Sequence, residues 1–292
     1  MSTAAKALAD LERRHPEWAP WLAVVAEVVR ESESDTWDAF VPDPVDSSRT
    51  SVPLLADVAV AVPAAMARRL LDRLCGSASL DATPKMASLK NVPRTDANAL
   101  ALFRASLCQD AAAIEEASAP PWTDAEAFHA VVSQLAVPFL HACRRRWNGS
   151  RHTGWEEGSC PVCGAWPAFT EVRGIERSRH YRCGRCGGEW HARALYCPFC
   201  SMHDHNELVS LLPDNDGSNA AIEACRRCLG YVKTFNRLQG CAPAAVMIED
   251  LASVNLDIAA LDQGYSRPQG AGHRIDVTLS DAAPRRRFLA WS

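Results

Sequence analysis

The chain has 292 residues, 48% of them hydrophobic and 23% charged, with a formal net charge of -4. That composition is of the ordinary folded kind and argues against wholesale disorder, and the acidic balance argues against a general polyanion binder, which needs clustered Lys and Arg. No stretch approaches the roughly 20 apolar residues of a membrane helix, and "MSTAAKALADLERRHPEW" lacks the apolar core of a secretory leader, so cytoplasmic residence is expected.

The two halves differ in charge. Residues 1 to 140 carry 12 basic and 19 acidic side chains, whereas 141 to 292 carry 19 basic and 16 acidic. The first half reads as helical. Trp18, Trp21, Leu22, Val25, Val28 and Val29 follow the spacing of one helical face, with Pro16 or Pro20 suited to its first turn. After the loop "VPDPVDSSRTSVP", Met66, Leu70 and Leu74 mark a shorter helix ending near Gly76, and Leu100, Phe103, Leu107, Ala111 and Ile114 mark another. "TDAE" from Thr123 has the capping-box form, and opens a helix whose apolar face runs Phe128, Val131, Val132, Leu135, Phe139 and Ala142, bent at Pro138 and stopping around "RRRWNGS".

Past residue 150 the helical period fades and β-favouring runs, "PAFTEV", "RHYRC" and "YVKTF", stand beside cysteine pairs. Such small modules bury little apolar surface and usually need a metal to hold them together. Met247, Leu251, Val254, Ile258 and Leu261 return to helical spacing, closed by Gly264 and Pro268. The expected organisation is multi-domain α+β: a helical domain (1–150), a first rubredoxin-like or zinc-ribbon-like four-cysteine module (151–194), a second (195–240), a C-terminal helix packing back on the modules (241–268) and an unplaced tail (269–292) with "RRR" near its end.

Of 12 cysteines, eight form four C-x-x-C pairs. In a reducing compartment they read first as metal ligands. Pairing the first with the second spans 19 residues, and the third with the fourth 24, with "PDNDGSN" as a hairpin tip; the nested alternative needs spans of 10 and 61. Sequential pairing is simpler and fits ribbon spacing. It assigns Cys160, Cys163, Cys183 and Cys186 to one metal site and Cys197, Cys200, Cys225 and Cys228 to another. Glycines after the second cysteine let the backbone fold tightly and aim amides at the sulfurs. The ligand set suits zinc or iron equally. The single cysteines Cys108 and Cys143 fall on or beside apolar helical faces and read as buried small hydrophobes, and His203 and His205 as solvated loop. Trp190 and His191, between two knuckles, read either as packing between the modules or as contact with a partner. The arginines at 173, 177, 179, 182, 185 and 193 could meet phosphates but are diluted by glutamates.

No phosphate-cradling loop and no nucleophile with a recognisable base is present, which points away from an enzyme. A nucleic-acid-binding zinc ribbon and a thiol oxidoreductase are the alternatives from other classes; the second would normally use one C-x-x-C at a helix start in a βαβ pattern. Read together, "CPVCGAWP", "RHYRCGRCGGEWHARALYCPFC", "EACRRCLGYVKTF" and "EDLASVNLDIAALDQGY" resemble the formate dehydrogenase accessory protein family, FdhE. The resemblance implies a helical domain joined to two rubredoxin-like modules, the eight paired cysteines as ligands, and iron, one ion per site, with zinc the alternative. It also implies a cytoplasmic maturation factor that binds the catalytic subunit of a respiratory formate dehydrogenase before export, without being part of the finished enzyme.

Overall fold

A computed structural model describes residues 3–43, 51–79, 83–117, 123–147, 154–212 and 219–282. The helical part contains α1 (Thr3–Arg14), α2 (Ala19–Glu33), α3 (Ala64–Ala78), α4 (Pro84–Ala87), α5 (Asp96–Cys108), α6 (Ala111–Ala117), α7 (Ala125–Val132) and α8 (Val137–Arg146), with the strand β1 (Val58–Val62) before α3. Its core is built on Leu70, Leu71, Leu74, Phe103, Phe139 and Trp37, all buried. Trp37 stacks on Phe103 at 5.4 Å and meets Phe139 edge-on.

Local chemistry moved several expected boundaries. The 100–114 helix divides, because Gln109 ends α5 in the left-handed conformation. The helix expected from Thr123 to Ala142 also divides: Pro138 sits in the first turn of α8, where its missing N–H is harmless, and the break falls upstream of it. Asp124 rather than Thr123 is the cap of α7, accepting from Ala127 N at 2.9 Å. The "PDNDGSN" tip, up to Ser218, the asparagine, glycine and serine that close "RRRWNGS" and the "RRR" of the tail lie outside the described residues.

β1 was hidden inside an apolar run. Its sequence VAVAV alternates buried and exposed, and its partner is β8 (Val277–Asp281), in parallel register from Val58↔Val277 to Val62↔Asp281. Asp281 Oδ1 accepts from Ala64 N at 2.9 Å and so caps α3. The described part of the unplaced tail therefore completes the helical region.

The remaining strands are β2 (Phe169–Arg173), β3 (Ser178–Arg182), β4 (Glu189–His191), β5 (Leu208–Leu211), β6 (Ala220–Cys225) and β7 (Tyr231–Arg237), followed by α9 (Val246–Ala252) and α10 (Val254–Asp262). They form one sheet in the order β4-β3-β2-β7-β6-β5, antiparallel except for the parallel β2–β7 pair. Two meanders, one per cysteine site, are thus fused edge to edge. The modules are joined by the β2–β7 ladder, Phe169↔Lys233 to Arg173↔Arg237.

The single C-terminal helix is two helices broken at Ser253. The buried side chains are Val246, Ile248, Leu256 and Ala260. Ile258 and Leu261, expected on the buried face, are 55% and 57% exposed. The rotation follows from Lys233, which is fully buried on β7: its Nζ bonds Asp250 O at 2.7 Å and Asp257 Oδ2 at 2.9 Å, drawing the acidic side of the helices onto the sheet. Arg267 and the Tyr231 hydroxyl complete that cluster on Asp257.

Candidate metal centres

The structure brings the eight paired cysteines into two groups of four, Cys160, Cys163, Cys183, Cys186 and Cys197, Cys200, Cys225, Cys228, each with its sulfurs within 4.8 Å of one another. The grouping is sequential, not nested. In the first, Cys160 Sγ lies 3.5 Å from Cys186 Sγ and Cys163 Sγ 3.5 Å from Cys183 Sγ. In the second, Cys197 and Cys228 are 3.6 Å apart and Cys200 and Cys225 3.7 Å. A tetrahedral ion with metal–sulfur bonds of about 2.3 Å has sulfur–sulfur edges of about 3.8 Å, so both groups fit one.

Each pair sits on the same backbone knuckle. The first cysteine's N–H donates to the carbonyl five residues on, and its own carbonyl accepts from the N–H four residues on: Cys160 with Ala165 and Gly164, Cys183 with Gly188 and Gly187, Cys197 with Met202 and Ser201, Cys225 with Gly230 and Leu229. The fourth residue on is left-handed in all four, with φ of 70° at Gly164, 68° at Gly187, 59° at Ser201 and 57° at Leu229. The order knuckle, two strands, knuckle, strand occurs twice. Amides of Arg185 and Cys186 reach Cys183 Sγ at 3.4 Å, and Gly188 N reaches Cys186 Sγ at 3.4 Å. At the second site amides of Phe199 and Cys200 face Cys197, and those of Arg227 and Cys228 face Cys225.

Burial divides the two sites. The first has all four cysteines fully buried in the same core as the helices. Burial pushes the Cys160 thiol well above its ordinary value; burial also opposes ionisation of Cys183, but hydrogen bonds from Cys160, Cys163 and Cys186 outweigh it and hold that thiol well below. Four thiols gathered this closely are what a divalent ion would hold as thiolates, displacing their protons.

The helical region clamps this site from several sides. Arg185, inside the second knuckle, donates to Ser106 O at 2.5 Å and Leu107 O at 3.4 Å, carbonyls of the last turn of α5. Leu54 N and Leu55 N donate to Pro161 O and Val162 O at 2.8 and 3.1 Å, and His273 N to Gly164 O at 2.8 Å. A Cβ on Gly187 would meet Pro243 O at 2.5 Å and His141 Cε1 at 2.8 Å, so only glycine serves there. In the second site Cys228 is exposed and Cys200 half-buried. Its knuckles are tied by nearby segments, Ser266 N to Leu229 O and Arg226 N to Glu207 O, both 2.8 Å.

The other expected residues fall as follows. Trp190 is 6% exposed, packs on Tyr181 at 5.5 Å and donates to Glu157 O at 3.1 Å. It lies on β4, at the sheet edge away from the second module, so it neither separates the modules nor offers its indole to a partner. His191 on the same strand is exposed. Cys75 and Cys143 are buried, Cys108 and Cys241 half-buried, while His203 and His205 are exposed.

All six arginines beside the cysteines have partners: Arg173 and Arg182 on Glu171, Arg179 on Glu223, Arg177 on Asn236, Arg185 on α5 and Arg193 on Glu156. Four of them, Arg173, Arg179, Arg182 and Arg193, meet carboxylates, which offset their charge. The buried clusters around Glu171 and Lys233 went unread in the sequence. For the Lys233 cluster the signal was the spacing of Asp250 and Asp257, seven residues apart in a stretch read as one helix and so on one side of it.

No protein-family model matches the sequence. A protein named FdhE homolog from Pseudomonas putida is 34% identical over 152 residues, 47% of this chain and 47% of that protein. Proteins of the same name from Stutzerimonas stutzeri and Aquifex aeolicus are 32% identical over 111 residues (37% of this chain, 35% of that protein) and 29% over 117 (39% and 41%). In each case the match spans less than half of the relative's length. The crystal structure of the FdhE protein from Pseudomonas aeruginosa shares the fold, with a TM-score of 0.56 at 23% identity, covering 90% of this chain and 91% of that one. The chain is thus similar over less than half its length to proteins named FdhE homolog, and over nine-tenths of its length it shares the fold of the FdhE crystal structure.

Proposed function

We infer that this chain is a cytoplasmic accessory factor that binds the catalytic subunit of a respiratory formate dehydrogenase and supports its assembly or activation, and that it is not itself an enzyme. Each cysteine group holds one metal ion, iron in preference to zinc, through four thiolates. The observation that carries the reading is the pair of four-cysteine clusters on identical knuckles, fused into one sheet and docked on a helical layer. Four thiolates leave no coordination position open for substrate, which suits an ion that shapes a surface better than one that does hydrolysis. Iron held this way can change oxidation state without changing ligands, which would let client binding follow redox state.

The test is anaerobic isolation of the tagged full chain, with metal analysis, absorption spectroscopy and detection of the formate dehydrogenase catalytic subunit in the same sample. Two irons per chain with thiolate-to-iron bands, and enrichment of that subunit, are expected. A chain holding only zinc that binds the subunit equally under oxidising and reducing conditions would remove the redox role, and no enrichment under either condition would overturn the accessory role.

A further inference from the structure

The two sites are alike in ligands and unlike in everything around them. Site one has Cys160, Cys163, Cys183 and Cys186 at 0% exposure, with both knuckles bonded to backbone or side chains of the helical region. Its left-handed knuckle positions are both glycine. Site two presents Cys228 to solvent and Cys200 partly so. A cavity of about 200 Å³ opens against Cys197 and Cys225 from the other side. Ser201 and Leu229 occupy its left-handed positions, where a Cβ crowds the backbone.

A thiolate–metal bond is exchanged when an incoming ligand reaches the ion and a cysteine leaves it. Buried sulfurs bar that approach and exposed ones admit it. We propose that the second site is an exchangeable metal centre, able to pass its ion to an external thiolate or chelator by release of Cys228, while the first is a permanent part of the core. The first step would be a ligand substitution in which one bond from the incoming ligand forms as the bond to Cys228 breaks, and the same substitution at Cys200, Cys197 and Cys225 would complete the transfer; each freed thiolate would take a proton from solvent, and no electrons move. A Leu229 side chain in a conformation that glycine would hold more easily helps the Cys225–Cys228 knuckle let go.

The inference rests on the metal reading above, and the experiment separates the two. Full-length chain loaded with two zinc ions is mixed with excess 4-(2-pyridylazo)resorcinol, released zinc is followed by absorbance, and iodoacetamide labelling is mapped by peptide mass spectrometry. One ion should leave at least about tenfold faster than the other, the scale on which a metal's surroundings alter its binding. Cys228 and Cys200 should be labelled in that fast phase, and Cys160, Cys163, Cys183 and Cys186 only with the slow one. Cys228→Ser should lower the zinc content to one ion while leaving the first group protected from label. Two ions leaving in a single phase, or first-site cysteines labelled first, would overturn the asymmetry alone. A chain that holds neither zinc nor iron would overturn the metal reading and this inference with it.

Discussion

Lys233 Nζ lies 2.9 Å from Asp257 Oδ2, with the lysine fully buried on the central strand β7. The ammonium also meets Asp250 Oδ1 at 2.7 Å, while Arg267 bonds both carboxylates, so two cations and two anions close on one another at the break between α9 and α10. Removing one member of a buried ion cluster leaves a charge uncompensated and costs about 3–5 kcal/mol. Lys233→Met is therefore expected to lower unfolding stability by about 3 kcal/mol, measured by urea denaturation. A change below 1 kcal/mol would show that Arg267 alone suffices for the two aspartates.

Glu171 sets a limit in acid. Its side chain is buried. Burial opposes its ionisation, but the Cys241 amide together with Arg173 and Arg182 outweighs burial and holds the carboxyl down at about 2. Because the folded value is depressed from 4.5, the stability it contributes is present above the unfolded value and is lost as pH falls towards 2, about 3 kcal/mol in all. Glu171→Gln should flatten the fall in stability between pH ~4.5 and ~2 seen in denaturation at graded pH. An unchanged slope would assign acid sensitivity to other carboxylates.

The equivalent knuckle positions Gly187 and Leu229 should respond oppositely to substitution. Gly187→Ala adds a Cβ at φ 68° against Pro243 O and His141, and is expected to destabilise the chain by about 2 kcal/mol or more. Leu229→Gly at φ 57° removes a Cβ from a left-handed residue whose side chain is 52% exposed, and should stabilise by up to about 1 kcal/mol. Thermal melts of the two variants check both signs, and a loss of stability in Leu229→Gly would mean that the leucine packs usefully.

Arg185→Ala should loosen the first module from the helical layer. The guanidinium caps the last carbonyls of α5, and a lost charged hydrogen bond there is expected to cost about 1.5–3 kcal/mol. Amide hydrogen exchange should quicken in Cys183–Gly188 and at the end of α5 together. Faster exchange in only one of them would separate the knuckle from the helix it touches.

The cysteine grouping was legible because ligand spacing is local: spans of 19 and 24 residues fit the spacing of four-cysteine ribbon sites, and spans of 10 and 61 do not. β2, β3 and β7 were legible as β-favouring runs beside the pairs, and the helices of the first half as apolar stripes. What escaped was decided at a distance. The VAVAV run has no local partner, since its strand pairs with Val277–Asp281. The exposed face of α10 was misread because Ile258 and Leu261 keep apolar spacing while Lys233 holds the opposite, acidic side. Trp190, read as packing between the modules or as contact with a partner, is buried against Tyr181 in the core that the first module shares with the helices, a contact made at a distance in sequence.

The β1–β8 pair also orders events in time. A chain emerging from synthesis can assemble its helices and both cysteine knuckle pairs while β1 still lacks its partner, which arrives more than two hundred residues later. Parallel pairing over such a separation is intrinsically slow. The sulfurs of the first group can therefore gather before β8 is available to close the helical layer, so a nascent chain would present them more openly than the finished fold does.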